Sequence, residues 1–172
     1  MSISIQIPES QVKQAAQEGV DAFIRIFTEH YWEAIGGELT AESMQELTTE
    51  QLTLLGYVIL RDEVMDGGFI QLIHNGYGPF FFGNPFAKVL KLMGMKQLSK
   101  MLYNIYPHYI ATKDELIREC SDEEFMALFE RFPEFEDFDD EFVENEEAFT
   151  EMMAQYVDEH ITDFAEVVKD EI

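Results

Sequence analysis

Cysteine is almost missing from this chain: Cys120 stands alone among 172 residues. One thiol excludes an internal disulfide framework and fits a reducing compartment. Residues 1–10 hold neither a basic leader nor an apolar run of signal-peptide length. No stretch approaches the roughly 20 apolar residues that a membrane-spanning helix requires. These absences point to a soluble cytoplasmic protein with no membrane contact. Basic residues are scarce as well, with 11 Lys and Arg against 35 Asp and Glu and a net charge of −24. Such a surface repels DNA, RNA and anionic lipid, and attracts basic proteins.

Metal and phosphate motifs are lacking too. His30, His74, His108 and His160 never stand at ligand spacing, and Cys120 has no sequence-local partner. Asp137, Asp139 and Glu141 alternate like the start of a calcium loop. Phe142 occupies its glycine position, however, and Ala148 its closing glutamate position. Gly67-Gly68 is not followed by the Lys-Ser or Lys-Thr of a phosphate loop. No metal and no cofactor are expected.

What the chain does have is apolar residues at helical spacing. At 47% hydrophobic it can bury the core of one domain, here expected to span residues 1–172. Val12, Ala16, Val20, Phe23, Phe27 and Tyr31 recur at steps of three or four, ending at Gly36-Gly37. Trp32, near that end, reads as packing. Thr48-x-x-Gln51 has capping-box form and opens a helix that stops at Gly67; a short one follows and closes at Gly76. Residues 76–83 read as an aromatic loop, either a lid on the core or a docking patch or dimer contact. Asn84-Pro85 caps the next helix, Gly94 ends it, and a further one runs until Pro107. Thr112-x-x-Glu115 and Ser121-x-x-Glu124 are two more capping boxes. A Phe stripe follows, broken at Pro133, and Asn145 is positioned to cap a last helix. There is no β-hairpin signal. The fold class is all-α, a multi-helix bundle with an acidic outer face on its C-terminal helices.

Charge is unevenly placed. Residues 112–172 carry 23 acids and four basic residues, whereas residues 67–112 carry no acid and include Lys88, Lys91, Lys96 and Lys100. Between residues 122 and 147 there are 13 acids and one basic residue, Arg131. Built as helix, that segment is at most roughly 39 Å long, about half the linear charge density of a DNA duplex. With Phe125, Leu128, Phe129, Phe132, Phe135, Phe138 and Phe142 facing one way, the carboxylates become an ordered array on the other. The plainer alternative is a solvated face that keeps the protein soluble.

Residues 62–75 join two helices through Gly67-Gly68 and concentrate Glu63, Asp66, Gln71, His74 and Asn75. Glu63 and His74 would be an acid–base pair if they met. The alternative is that these groups satisfy the backbone of a tight helix junction.

The run Glu63-Val64-x-Asp66-Gly67-Gly68-Phe69-x-Gln71-x-x-x-Asn75 resembles the signature of the DMP-type DNA-mimic family, small bacterial helical proteins with the pattern E-V-x-N-G-G-F-x-Q-x-x-x-N. Phe138-Asp139-Asp140-Glu141-Phe142 and Tyr156-Val157-x-x-His160-x-x-x-Phe164 resemble its closing pattern. The resemblance spans about residues 48–164, and Asp66 departs from it where Asn is common. It implies an all-helical fold, an acidic surface imitating DNA's phosphates, a homodimer, a basic DNA-binding protein as partner, and no catalytic residue. The expected partner-binding surface is Glu134, Glu136, Asp137, Asp139, Asp140, Glu141, Glu144, Glu146, Glu147, Glu151, Asp158 and Glu159. The signature residues Glu63, Asp66, Gly67, Gly68, Phe69, Gln71 and Asn75 are expected to be structural. The rivals are an immunity or antitoxin-like inhibitor of a basic nuclease, and an enzyme with its site around Glu63 and His74.

Overall fold

The computed structural model describes residues 3–83 and 85–170. Among them the chain is all-α. In order come β1 (Gln6–Pro8), α1 (Glu9–Glu18), α2 (Val20–Ala34), α3 (Ala41–Met44), α4 (Thr49–His74), α5 (Gly78–Phe82) and α6 (Phe86–Leu92). After these come α7 (Lys96–Leu116), α8 (Asp122–Arg131), a 3-10 turn (Pro133–Phe135), α9 (Glu136–Glu159), α10 (Ile161–Phe164) and β2 (Glu166–Val168). The two short strands pair in parallel, with Ile7 opposite Val167.

The residues group into two compact units. Among the described residues, the first comprises 3–58 and 150–170, and the second 59–83 and 85–149. In the first, Ile7, Ile24, Phe27, Tyr31, Leu54, Val157 and Phe164 are fully buried. The Phe164 carbonyl accepts from the Tyr31 hydroxyl at 2.7 Å and from Gln51 Nε2 at 3.1 Å. Burial pushes the Tyr31 pKa upward, so this hydroxyl remains a donor. The Gln51 side chain also closes the expected capping box. Its Oε1 accepts from Thr48 N–H at 3.0 Å while Thr48 Oγ1 accepts from Gln51 N–H at 3.2 Å.

The second unit packs Phe69, Leu72, Ile73, Leu90, Leu98, Ile105, Leu116, Phe135, Phe142 and Phe149 into its core. The aromatic stretch 76–83 is largely a helix, α5, rather than a loop. Phe80 and Phe81 are buried, and edge-to-face contacts join Phe80 to Phe81 and Phe81 to Phe86. The lid reading therefore holds for these two rings. The expected cap at Asn84 lies outside the described residues.

Four sequence expectations about helix ends are corrected. The first helix breaks at Gly19, whose φ of 133° and ψ of 179° interrupt a run that periodicity alone makes continuous. Pro107 does not stop α7, which continues nine residues beyond it to Leu116. Proline removes one backbone donor there, but it lies on the exposed side. Ile105, Tyr109, Thr112 and Leu116 are buried on the other face and carry the helix through. Thr112 consequently sits mid-helix, donating to the His108 carbonyl at 2.6 Å instead of capping. Asn145 is likewise interior to α9 and donates to the Glu141 carbonyl at 2.8 Å. At Ser121 the side-chain cap forms, with Ser121 Oγ accepting from Glu124 N–H at 3.2 Å, while the Glu124 carboxylate accepts from the Ser121 hydroxyl at 3.1 Å rather than from its backbone N–H.

Pro107 thus sits where an ordinary residue would serve better. Replacing it (Pro107→Ala) restores an interior donor worth up to about 3 kcal/mol, offset by about 1 kcal/mol of added unfolded-chain freedom. A rise of several degrees in thermal midpoint is expected by circular dichroism; an unchanged or lower midpoint would show that α7 is built around the proline.

Candidate protein-interaction surface

The signature residues form a hydrogen-bonded knot over a break in α4. At Gly67 and Gly68 the backbone leaves the helical region, Gly68 having φ 73° and ψ −176°. Side-chain-bearing residues avoid that conformation, at a cost of roughly 1–3 kcal/mol. Gln71 Nε2 donates to Glu63 Oε2 at 2.8 Å and to Asp66 Oδ2 at 3.0 Å, and Asn75 Nδ2 donates to the same Glu63 oxygen at 2.9 Å. A Cβ on Gly67 would fall inside the Gln71 side chain, so the glycine is what lets Gln71 fold back across the break. His74 is engaged elsewhere. Its Nδ1 donates to the Leu116 carbonyl at 2.8 Å, and its ring lies 5.0 Å from that of Phe125. Glu63 and His74 therefore serve different partners rather than one another.

On the far side of the break stands a residue from α9. Asp139 Oδ1 accepts from Phe69 N–H at 2.8 Å, capping the restarted helix across 70 positions of sequence. Its carboxylate fills the place that a Gly68 side chain would take. Phe69 is fully buried, with its ring edge-to-face to Phe142 at 6.3 Å. Burial pushes the Asp139 carboxyl up to about 6. The Phe69 N–H pulls the other way, and the charges of Asp140 and Glu136 add to the rise.

The remaining acids of α9 sort by face. Glu136, Asp137, Asp140, Glu144 and Glu147 are exposed. At about 100° per residue, these five fall within an arc of roughly 100°. Phe138, Phe142 and Phe149 occupy the opposite side, and the latter two are fully buried. The five span about 17 Å of helix, one carboxylate per roughly 3–4 Å. Among the described residues, no lysine or arginine stands within ion-pairing distance of any of them. Glu146 points elsewhere, its Oε1 lying 4.0 Å from Nε of the buried Arg61, which also has Asp62 at 3.6 Å. Glu134 and Glu141 are half-buried at the margins. In the first unit Glu151, Asp158 and Glu159 are exposed, with Glu159 accepting from Gln155 at 3.1 Å.

Two of the acids expected on the partner-binding surface, Asp139 and Glu146, are thus turned to internal partners. Helical spacing carries the signal for both: each lies within a turn of Phe142 or Phe149, beside the buried stripe rather than opposite it. What spacing cannot supply is the identity of those partners, Phe69 N–H and Arg61.

The sequence matches the model of the DMP19-like protein family over residues 45–160. A relative from Neisseria meningitidis serogroup B, the DNA mimic protein DMP19, is 29% identical over 167 residues. The match covers 95% of this chain and 97% of the relative. Both the knot and the acidic arc lie inside the matched segment.

Because the Asp139 pKa is raised in the folded state, its protonated form is the one that folding favours. Its contribution is present below the unfolded value near 4 and is lost as pH rises through about 6. Asp139→Asn keeps an acceptor for Phe69 N–H and cannot ionise. It should gain stability relative to the parent between pH 4 and 7 in urea titrations, and a constant difference would refute the assignment. Asp139→Ala removes the cap and should lose about 1 kcal/mol at pH 4. Gly68→Ala meets both the strained backbone and the Asp139 carboxylate, and should lose about 2 kcal/mol or more; a smaller loss would show that the junction relaxes.

Proposed function

The chain belongs to the DMP19-like protein family, and we propose that it is a non-enzymatic DNA mimic that binds a basic DNA-binding protein and modulates its action on DNA. The observation that carries this reading is the arc on α9. One strand of DNA presents a phosphate per roughly 3.4 Å, and the five exposed carboxylates, unevenly spaced, average one per roughly 4 Å of helix axis. They are held on a helix whose opposite face is anchored by phenylalanines, so little ordering remains to be done on binding. Arginines and lysines shaped to engage phosphates meet a comparable row of anions. The Neisseria relative, a DNA mimic protein, supports the same reading. The proposed contact set is Glu136, Asp137, Asp140, Glu144 and Glu147, with Glu151, Asp158 and Glu159 in the first unit. Asp139 and Glu146 act from within, by holding α9. The partner is a transcription factor or nucleoid-type protein of the cytoplasm, and no reaction is catalysed. Engagement of Glu63, Asp66, Gln71 and Asn75 with one another supports an architectural role for the signature.

A protein retained from a low-salt lysate on the immobilised chain should be basic, and its affinity should fall steeply with salt, as DNA binding does. Lysine at positions 137, 140, 144 and 147 together should weaken it on the order of a hundredfold, while Asp139→Asn leaves it nearly unchanged. Equal affinity of the charge-reversed and parent proteins would sink the mechanism. Identification of the retained protein as a nuclease would move the reading to an immunity-type inhibitor.

We further assign the exposed stripe of α7 to contact with a second copy of the chain. Tyr103, Tyr106 and Ile110, with Ile117 at the helix's C-cap, recur at helical steps and are between 43% and 56% exposed. A run of large apolar side chains left in water marks an association face. Light scattering should report a dimer for the parent and a monomer for Ile110→Asp. A monomeric parent would remove the assignment and leave the α9 reading intact.

A further inference from the structure

The first unit contains a trough of about 400 Å³ that neither the acidic arc nor the signature uses. One wall is the α9 stripe Glu151, Ala154, Gln155 and Asp158. The opposite wall comes from the junction of α1 and α2: Ala16, Gly19, Val20 and Phe23. The α9 wall shows the spacing i, i+3, i+4, i+7 of a single helix face, whereas the other wall is a junction, with Ala16 in the last turn of α1 and Val20 and Phe23 in the first turns of α2 on either side of Gly19. Small residues leave the space between them unfilled. A Cβ built on Gly19 would meet nothing within 4 Å, and Val20 is 39% exposed although apolar. The lining contains two acids and no basic residue. Those acids, Glu151 and Asp158, stand seven residues apart, about 10.5 Å along α9.

A helix is the element that fits this shape. An apolar side chain on its inner face would enter between Val20, Phe23 and Ala154, as in helix-in-groove recognition. Cationic side chains seven residues apart on the same face would reach the two carboxylates, because both helices repeat their faces at the same rise. Arginine suits the position, since its stem lies along apolar walls while its weakly hydrated head meets the acid. We propose that the trough between α1–α2 and α9 seats a helix of the basic partner, with two arginines one heptad apart on Glu151 and Asp158 and an apolar residue between them. The proposal rests on the DNA-mimic reading for the identity of the partner, but not for the existence of the seat.

The test uses the full chain and two labelled alanine-rich helical peptides of one composition. In the first, two arginines stand seven residues apart with a leucine between them; in the second they stand five apart, on different faces. Fluorescence anisotropy should show the first peptide binding at least about tenfold more tightly than the second. Glu151→Gln combined with Asp158→Asn should cost about tenfold. Ala16→Leu, at an exposed helical position, fills the trough without changing charge and should cost at least as much. Circular dichroism melts establish that both variants fold. Equal affinity for the two peptides, or full affinity of Ala16→Leu, would overturn the proposal by reducing the effect to diffuse charge attraction. If the peptide result holds while the chain retains no basic protein from lysate, the seat stands and the DNA-mimic reading falls. If a basic protein is retained with Ala16→Leu as tightly as with the parent, the mimic reading stands and the seat falls.

Discussion

The hydrogen bond from Phe69 N–H to Asp139 organises the second unit. A helix interrupted in its interior leaves backbone donors with no partner, and a buried donor left unsatisfied costs about 1–3 kcal/mol. Here the donor is met by a carboxylate from α9, at a point where the chain must have no side chain of its own. Around that bond the Phe69 ring takes its place against Phe142, while Gln71 and Asn75 close the other side through Glu63. The rotation of α9 about its own axis is thereby specified. Once Asp139 and Phe142 point inward, Glu136, Asp137, Asp140, Glu144 and Glu147 have only the outside to occupy.

That arrangement answers an electrostatic difficulty. Five carboxylates on less than roughly 20 Å of helix, with no cationic partner among the described residues, repel one another, and self-repulsion weakens any compact state. The opposing contribution is apolar: Phe135, Phe142 and Phe149 are fully buried along the same helix and its approach, each worth roughly 1.5–3 kcal/mol. Arg61, buried and shared between Asp62 and Glu146, neutralises charge on the inward flank while leaving the outer arc bare. An anionic surface is useful to a basic partner only where the protein's own cations are kept away from it.

Much of this was legible in the sequence, and the parts that were not share a cause. The helical class, the stop at Gly67, the capping box at Thr48, the N-cap at Ser121 and the Phe stripe all follow from local pattern. The misread helix ends at Pro107 and Asn145 are places where tertiary burial overrides a local breaker or cap signal. The break at Gly19 leaves no local signal, because apolar spacing continues across it while the backbone does not. Among the acids, composition singled out α9 but could not separate Asp137 from Asp139: one is exposed and the other is a cap, and the difference lies in a backbone donor 70 residues away. The trough on the first unit was invisible for a similar reason. The α9 wall reads as an ordinary helix face, and the other exists only because the backbone turns at Gly19.

The meeting of Gly68 and Asp139 has a consequence for how such sequences can drift. A side chain at position 68 and a carboxylate at position 139 compete for one volume, so neither position can change freely while the other stays as it is. Losing the glycine requires the acid to retreat; losing the acid opens space that only a rebuilt junction could use. Two residues that look unrelated along the chain are thus a single inherited character, and across homologous sequences they should be kept together or replaced together.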